Sequence, residues 1–304
     1  MQDQSWTIKR ILDWTSGYLE RKGDEHPRLS AEWLLSATTG LSRVELYTNF
    51  DKPLMQDELN RMHQAVEQRA SGRPLQYVTG EMPFRHIVLK CEPGVLIPRP
   101  ETEVLVDIAL EGIDQKCATG EKDGTPEPLR VLEVGVGTGC IALSIASERP
   151  DTDVVATDVS PEAISLAQRN CDALGLSDHV HLIECDLVSG VPKEDAERFC
   201  VLVSNPPYIP TEILKKSVPA EVKEFEPKLA LDGGNDGLDV YRRLLQEAPH
   251  MLAPGGMLCI ELYEGHLDRA AELARQAGVW RDISIKEDLT HRPRILVAYR
   301  KEAE

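Results

Sequence analysis

The sequence predicts an α/β fold, in which a mostly parallel sheet carries helices on both faces and follows a small all-helical domain. Two observations predict it. From about residue 130 onward, short segments rich in Val, Ile and Leu alternate with helix-length amphipathic segments. This alternation is typical of parallel strands connected by helices. In residues 1–72, by contrast, apolar residues recur at helical spacing and a strand pattern is absent from the sequence.

The first 72 residues are predicted to form four helices. The first helix carries apolar residues between Trp6 and Leu19, and the second begins at Pro27 and ends near Gly40. A short third helix is expected around residues 44–47, and a fourth over about 56–70. Because residues 1–72 contain no recognisable catalytic or cofactor motif, we interpret this domain as the one that recognises the substrate. The alternative is that its helices only cover apolar surface of the core.

Residues 73–97 are predicted to form a β-hairpin connector. The segments "PLQYVTG" (74–80) and "HIVLKCEPGVLIP" (86–98) are strand-like and are joined by turn residues. A helix is expected to begin at Pro100, because proline suits the first helical position. Glu101 and Glu103 suit the positive end of the helix dipole. Residues 98–304 are assigned to the α/β domain.

The α/β domain is predicted to alternate strands and helices in a regular order. The expected strands are residues 130–135, 153–158, 180–186, 200–205, 256–262, 282–288 and 294–300. The expected helices are residues 140–148, 161–175, 238–252 and 266–278. Since the short segment "DLTHRP" joins the last two strands, we expect those strands to pair antiparallel at one edge of the sheet.

Composition argues against several classes of protein. The 304 residues carry a formal net charge of −17, whereas proteins that live on nucleic acid usually show a basic footprint. The seven cysteines form no CxxC pair, which favours reduced thiols over a disulfide framework or a metal site. The amino terminus lacks the apolar core of a signal peptide, and no run approaches the roughly 20 apolar residues of a membrane span. We therefore expect a soluble cytoplasmic protein without a metal, a membrane or a direct nucleic-acid partner.

A glycine-rich segment, "LEVGVGTGC" (132–140), follows the first predicted strand of the sheet and opens a helix. In open α/β sheets, ligands bind at the carboxyl ends of the strands, and glycines there let the backbone approach a ligand closely. Asp158 ends the next strand, where its carboxylate can accept both ribose hydroxyls of an adenosine. A dinucleotide fingerprint fits poorly, because its last glycine position falls on Cys140.

The segment instead resembles the first motif of Rossmann-like, class I S-adenosylmethionine-dependent methyltransferases. "VVATDVSPEAI" (154–164) resembles their second motif and "IECDL" (183–187) their third. The resemblance implies S-adenosylmethionine as cofactor, with Asp186 at the adenine amino group. The implied cofactor-binding residues are Glu133, Gly135, Val136, Gly137, Thr138, Gly139, Asp158, Val159, Asp186, Leu187 and Asn205.

A second motif, Asn205-Pro206-Pro207-Tyr208, ends the strand at 200–205. The Asn205 side chain offers a carbonyl acceptor and an NH₂ donor. Pro206 lacks an N–H and holds Asn205 in an extended backbone, while Tyr208 offers a flat face for a planar group. These features suit a planar NH₂ substrate, whose hydrogens the Asn205 side-chain carbonyl and the Pro206 backbone carbonyl can accept. The motif is shared by enzymes that methylate adenine amines and glutamine amides, so by itself it leaves the substrate open.

Three further segments distinguish among the methyltransferase families that share this motif. They are "GVLIPRPETE" (94–103), "FEPKLALDGGNDGLDVYRRL" (225–244) and the helical domain with "PLQYVTGEMPF" (74–84). With the Asn-Pro-Pro-Tyr motif, they resemble the protein-(glutamine-N5) methyltransferases that modify peptide chain release factors. The resemblance implies methyl transfer to the glutamine amide of a Gly-Gly-Gln segment in class 1 release factors. The implied catalytic residues are Asn205, Pro206, Pro207 and Tyr208.

Several alternatives stay open from the sequence alone. One is an adenine-N6 methyltransferase on DNA or RNA, a second is a ribosomal-protein glutamine methyltransferase, and a third is a cofactor-binding module without catalysis. Arg99 and Glu101 are candidates for lining the site, although the start of a helix explains them about as well. Asp232 to Gly237 are expected to form a turn and cap.

Overall fold

The computed structural model describes residues 5–119 and 128–302. The helices are α1 (Ile8–Arg21), α2 (Pro27–Thr39), α3 (Arg43–Thr48), α4 (Gln56–Ala70), α5 (Leu75–Thr79), α6 (Thr102–Thr119), α7 (Cys140–Glu148), α8 (Pro161–Leu174), α9 (Thr211–Lys216), α10 (Ala220–Phe225), α11 (Asp239–Met251) and α12 (Leu267–Ala277). The strands are β1 (Glu81–Phe84), β2 (Ile87–Lys90), β3 (Leu129–Val134), β4 (Thr152–Asp158), β5 (Val180–Glu184), β6 (Phe199–Ser204), β7 (Leu252–Glu261), β8 (Trp280–Glu287) and β9 (Pro293–Arg300).

The chain divides into two compact units. One unit comprises Met1–Glu81 together with Pro219–Phe225, and the other comprises Met82–Val218 together with Glu226–Glu304. The domain boundaries expected at residues 72 and 97 stay predictions, because compactness does not define a functional domain. Within the described residues, we find no helix whose length and apolar character would let it cross a membrane.

The first unit is helical, as its sequence periodicity predicts. Leu12, Leu35 and Met62 are among the buried residues that pack α1, α2 and α4 against one another. The predicted helix end at Gly40 is confirmed, since this residue caps α2 in the left-handed conformation, with φ +72°. Ser42 begins α3 with a capping box, in which its hydroxyl and the Glu45 carboxylate satisfy each other's backbone N–H groups.

The strand predicted for residues 74–80 is wrong, because the segment forms helix α5. Pro74, at φ −51°, precedes the helix, and Gly80, at φ +81°, ends it in the left-handed conformation. Tyr77 is buried, and Leu75 and Val78 pack against the apolar cluster of the helical unit. A short apolar run fits strand and helix periods equally well, so packing decides which one forms.

The hairpin lies within the predicted residues 73–97 and pairs β1 with β2. Its first strand begins later than predicted, and its second strand is shorter than the segment 86–98, since it ends at Lys90. The helix expected to begin at Pro100 also begins later, at Thr102. The N–H groups of Thr102, Glu103 and Val104 donate to the carbonyls three residues earlier, at 3.1–3.2 Å. Residues 100–101 therefore form a turn that leads into α6.

The second unit contains a seven-stranded sheet formed by described residues, in the order β5-β4-β3-β6-β7-β9-β8. Strands β5, β4, β3, β6 and β7 are parallel, and β9 runs antiparallel to both β7 and β8. The antiparallel pairing predicted for the last two strands is confirmed. At this edge of the sheet the outermost strand is β8, and β9 lies between it and β7.

Helices cover both faces of this sheet, as predicted. Successive β3 residues alternate, with Val131 packed among residues of α6, α7 and α8 and Leu132 packed among residues of α11 and α12. The helices are strand connections, so the carboxyl ends of β3, β4 and β6 meet at one edge of the sheet. The glycine segment and the Asn-Pro-Pro-Tyr motif both lie at this edge.

Arg85 joins the hairpin to two helices of the same unit. It lies between β1 and β2, and its guanidinium donates to both carboxylate oxygens of Glu148 in α7, at 2.6 and 2.9 Å. It also donates to Asp107 Oδ1 in α6, at 2.7 Å. The Arg85 side chain is only 10% exposed and that of Glu148 20%, so the charge-assisted pair with Glu148 is largely shielded from water, whereas the contact with the exposed Asp107 is not.

Arg85→Lys should therefore lower the free energy of unfolding by about 1–3 kcal/mol, because an ammonium group cannot reproduce the two-pronged contact with Glu148. Chemical denaturation measures the change. Arg269→Lys is the matched control, since Arg269 and its partner Glu272 are about half exposed, and it should change stability by no more than about 0.5 kcal/mol. Equal effects of the two substitutions would contradict the anchoring role of Arg85.

Candidate active site

A cavity of about 370 Å³ opens where the carboxyl ends of β3, β4 and β6 meet. Every lining residue belongs to the second compact unit. Of the residues predicted from the sequence, the lining includes Gly135, Gly137, Asp158, Val159, Asp186, Leu187, Asn205, Pro206 and Pro207. Gly94–Leu96 and the segment around Leu229 contribute further lining, which the sequence did not predict.

The glycine loop divides into two glycines that face the cavity and one that packs inside. Gly135 and Gly137 have positive φ, +86° and +53°. A Cβ built on either would have no described atom within 4 Å. Gly139 differs, because a Cβ there would lie 2.7 Å from Leu143 Cδ1. The first two glycines therefore leave backbone open to a ligand, and the third permits close packing against α7.

Asp158 lies at the end of β4, beside the glycine loop. Its Oδ2 accepts a hydrogen bond from the Gly137 N–H at 3.0 Å, and its Oδ1 accepts from the Ser160 N–H at 2.9 Å. Burial raises the pKa of the Asp158 carboxyl, and the backbone donors partly offset this. Each carboxylate oxygen keeps a further acceptor position, and the side chain lines the cavity.

The cavity next to Asp158 combines apolar walls with an acidic end. Val159 is 50% exposed although it is apolar, and Leu187 lines the same space. Leu187 has φ +52°, and its carbonyl accepts a hydrogen bond from the Thr157 hydroxyl at 2.7 Å. Asp186 Oδ2 accepts from Arg243 Nη2 at 2.7 Å, and both residues line the cavity. A flat, apolar group with polar edges fits such a space.

Glu133 has a different place from the one the sequence suggested. It is fully buried, and its Oε2 accepts a hydrogen bond from the Ala142 N–H in the first turn of α7, at 2.8 Å. Its Oε1 has no hydrogen-bond partner among the described residues. Burial raises the pKa of the Glu133 carboxyl well above its usual range. The side chain therefore caps α7 beneath the loop and does not line the cavity.

Three other predicted cofactor residues share this supporting position. Val136, Thr138 and Gly139 lie outside the cavity lining that the described residues form. Val136 and Thr138 are buried, and the Val136 N–H donates to the Thr157 carbonyl at 2.9 Å. These residues therefore support the loop from the side away from the cavity.

The Asn-Pro-Pro-Tyr motif is split between the cavity and the core. Asn205, Pro206 and Pro207 line the cavity. Tyr208 packs against the apolar cluster of the α11 and α12 face, and its hydroxyl donates to Glu261 Oε1 at 3.3 Å. Tyr208 does not belong to the cavity lining that the described residues form, and its expected role as a stacking face stays a prediction.

The segment Asp232–Gly237 forms the expected turn and supports the motif. The Ile209 N–H donates to the Leu231 carbonyl, and the Gly233 N–H donates to the Ile209 carbonyl, at 3.0 and 2.8 Å. A Cβ at Gly233 would lie 2.7 Å from Tyr208 Cα. Only glycine allows this close approach, so the turn fixes the backbone of the motif from one side.

Arg99 and Glu101 lie outside the lining that the described residues form. Arg99 Nη2 donates to Glu226 Oε1 at 2.5 Å, and Glu101 is exposed.

The sequence reading missed Thr102 and Glu261, which are buried behind Asn205. A signal for Glu261 was present, because it is an acidic residue at the carboxyl end of an apolar strand, as Asp158 is.

Two family models match the chain. The model described as "PrmC N-terminal domain" matches residues 10–80, and the model described as "Methyltransferase small domain" matches residues 123–222. Among solved structures, the hMettl16 catalytic domain is similar, with a TM-score of 0.55 and 16% identity over 81% of this chain and 82% of that one. At that identity the likeness shows the fold, and it confirms the predicted class I methyltransferase sheet.

Curated relatives extend over nearly the whole chain. A release factor glutamine methyltransferase of Geobacter sulfurreducens is 46% identical, over 90% of this chain and 90% of that protein. Proteins of the same name from Rhodopirellula baltica and Moorella thermoacetica are 40% and 41% identical. Both of those matches cover 97% of this chain, with 96% and 99% of the respective relative. The family resemblance expected from the sequence is thereby confirmed, and the chain belongs to the release factor glutamine methyltransferase family.

Proposed function

We propose that this protein methylates the side-chain amide nitrogen of the glutamine in a Gly-Gly-Gln segment of class 1 peptide chain release factors. The observation that carries the proposal is the place of Asn205 and Pro206, which both line the cavity beside the glycine loop. The names of the curated relatives support the same substrate. The reaction belongs in the cytoplasm, where release factors work.

S-adenosylmethionine is the cofactor of this methyltransferase and supplies the methyl group as part of a sulfonium ion. The described residues fit it. Asp158 offers carboxylate acceptors for ribose hydroxyls, and Val159 and Leu187 offer apolar walls for adenine. Gly135 and Gly137 leave the backbone uncovered beside them. A cavity of about 370 Å³ lies within the ordinary range for small-molecule sites.

The residues at the diproline orient the substrate amide. An amide nitrogen is a poor nucleophile because its lone pair is delocalised into the carbonyl. With its two hydrogens on the Asn205 side-chain carbonyl and the Pro206 backbone carbonyl, the nitrogen would be oriented with its lone pair toward the methyl donor. The sulfonium would supply the methyl group, and methylation would leave the amide nitrogen positively charged. The two carbonyl dipoles stabilise that charge until the nitrogen loses a proton.

The adenine-N6 alternative shares this local chemistry, so the rest of the chain must distinguish the two. The net charge of −17 gives no overall basic footprint of the kind that nucleic-acid enzymes use. The curated relatives, moreover, are similar over both the helical region and the catalytic region. We therefore favour a protein substrate.

A direct test supplies the protein with methyl-labelled S-adenosylmethionine and, separately, with release factors, ribosomal proteins and nucleic acid. We expect label in the release factor, mapped by mass spectrometry to the glutamine of its Gly-Gly-Gln segment. A release factor in which that glutamine is replaced by glutamate is the matched control and should stay unlabelled. Label confined to nucleic acid or to a ribosomal protein would overturn the proposal.

Asp158→Ala should weaken binding of S-adenosylmethionine about tenfold or more. The substitution removes charge-assisted hydrogen bonds to the ribose, each worth roughly 1.5–3 kcal/mol. Isothermal titration calorimetry measures the affinity. Asp268→Ala is the matched control, because Asp268 is exposed on α12 and its removal should leave the affinity unchanged. Equal affinities of wild type and Asp158→Ala would remove Asp158 from the cofactor site.

Asn205→Ala should fold and still bind S-adenosylmethionine, yet lose most of its turnover. It deletes an acceptor that matters most as the substrate nitrogen becomes positive, so the loss falls on the chemical step. Single-turnover methylation of the release factor measures that step, and calorimetry with the cofactor controls for folding. Near-normal single-turnover rates would show that the Asn205 carbonyl does not act on the substrate.

The helical domain, residues 1–72, is the proposed docking surface for the release factor. A glutamine side chain has few atoms and gives little affinity by itself, so a second contact surface is needed to select one glutamine among many. The cavity draws its lining from the second compact unit. The helical domain is therefore available for a task other than cofactor binding.

Deleting residues 1–72 should slow methylation of the intact release factor while leaving methylation of a short Gly-Gly-Gln peptide unchanged. The peptide cannot use the docking surface, so it serves as the internal control for the catalytic domain. Calorimetry with S-adenosylmethionine checks that the fragment is folded. Equal rates on the intact release factor would place recognition in the catalytic domain, and an insoluble fragment would favour the role of covering apolar surface.

A further inference from the structure

A chain of hydrogen bonds runs from Asn205 into the protein interior. Asn205 Nδ2 donates to Thr102 Oγ1 at 3.1 Å, and the Thr102 hydroxyl donates to Glu261 Oε2 at 2.8 Å. The Tyr208 hydroxyl donates to the other carboxylate oxygen, Glu261 Oε1, at 3.3 Å. Thr102 and Glu261 are each only 1% exposed. The chain therefore lies behind the cavity, on the side of Asn205 away from the ligand space.

The direction of this chain is fixed by its last member. An ionised carboxylate only accepts hydrogen bonds, so both hydroxyl protons, those of Thr102 and Tyr208, point to Glu261. With its single proton committed, the Thr102 oxygen can only accept from Asn205. The group of Asn205 that faces Thr102 must then be the NH₂, because the side-chain carbonyl has no proton to give.

Both oxygens of Glu261 accept hydrogen bonds, from the Thr102 and Tyr208 hydroxyls, although the net effect of its surroundings is to raise the pKa of this carboxyl. Burial raises the pKa of this carboxyl, and the charge of Glu101 acts in the same direction. The hydrogen bonds from Thr102 and Tyr208 and the positive charge of Arg294 lower it. A buried carboxylate with two hydroxyl donors and a nearby guanidinium is satisfied on both of its oxygens.

We infer that Thr102 and Glu261 are positioning residues, which hold the Asn205 side chain with its carbonyl oxygen toward the cavity and its NH₂ toward the interior. The inference deepens the proposed function and rests on it, because only a substrate with hydrogens to donate needs that carbonyl. Neither residue touches the substrate. Thr102 acts on Asn205, and Glu261 acts on Thr102.

The Asn205 side chain needs a positioning contact because its amide group is nearly symmetric in shape. The oxygen and the NH₂ of an asparagine side chain are similar in size, so a half-turn about the last side-chain bond costs little by packing alone. After that half-turn, the Asn205 NH₂ would face the NH₂ of the substrate, donor against donor. In-line orientation and stabilisation of the developing charge would then be lost together.

Thr102→Val tests the inference, because it keeps the shape of the side chain and removes the hydroxyl. We expect the single-turnover rate to fall about 10- to 100-fold, while the affinity for S-adenosylmethionine stays within about twofold of wild type. Thr102→Ser restores the hydroxyl and should recover most of the rate. Thr152→Val is the matched control. The buried Thr152 hydroxyl donates to the Arg149 carbonyl at the end of β4 away from the cavity. The single-turnover rate of this variant should be unchanged.

Hydrogen exchange of the Asn205 side-chain NH₂ tests the positioning role without measuring turnover. In ¹⁵N-labelled protein, the Asn205 side-chain NH₂, identified by its loss in Asn205→Ala, should exchange slowly with solvent in wild type and in Thr102→Ser. It should exchange rapidly in Thr102→Val. Wild-type protein that fails to methylate any release factor, yet shows this pattern, would overturn the proposed function and leave the positioning role standing.

Three results would overturn the positioning role itself. One is a Thr102→Val rate within about twofold of wild type. Another is an equal loss of rate in Thr152→Val, which would mean that lost stability explains the effect. The third is a Thr102→Ser variant as impaired as Thr102→Val, because the hydroxyl would then be irrelevant.

Discussion

The parallel pairing of β3 with β4 and β6 is the constraint on which the rest of the site depends. Val131 pairs with Val154 on one side and with Val201 on the other, so the three strands end at the same edge of the sheet. The Gly135 and Val136 N–H groups then both donate to the Thr157 carbonyl of β4. This places the glycine loop, Asp158 and Asn205 around one cavity, although they are far apart along the chain.

Three carboxylates near the carboxyl ends of strands have different hydrogen-bond partners and therefore different roles. Glu133, Asp158 and Glu261 lie in β3, β4 and β7, and burial raises the pKa of each carboxyl. Glu133 accepts from the first turn of α7, and Glu261 accepts from two hydroxyls. Asp158 is held by two backbone N–H groups and also lines the cavity, which suits it to bind ribose hydroxyls.

Contacts before and after the diproline segment, and a hydrogen bond to the Asn205 side chain, fix its position. Ser204, before it, donates its hydroxyl to the Val134 carbonyl of β3 at 2.6 Å. Gly233 packs against the backbone after it, and Thr102 holds the Asn205 side chain from behind. Two prolines remove backbone flexibility and backbone donors in the same place. The carbonyl groups proposed to bind the substrate are therefore held by covalent restraint, by packing and, for the Asn205 side chain, by the hydrogen bond to Thr102.

The sequence by itself determined the features that local chemistry encodes. Helical spacing predicted α4 over the residues that form it, and apolar strands alternating with amphipathic helices predicted the layered sheet. The glycines after β3, Asp158 at the end of β4 and the Asn-Pro-Pro-Tyr segment after β6 marked the candidate site, because residue types with special backbone or hydrogen-bonding properties stand out at strand ends. The motifs also carried the family resemblance.

Only the tertiary structure decided which of these residues face the cavity and which support it. The run at Leu75–Thr79 is helical because its apolar side chains pack into the helical unit, and a short run does not reveal that preference. Glu133 occupies a motif position yet is buried beneath the loop, and the hydroxyl of Tyr208 donates to the buried Glu261. Thr102 and Glu261 meet across 159 residues of chain, and no local pattern can specify such a pair, since the hydrogen bond exists only after α6 has packed beside the end of β7.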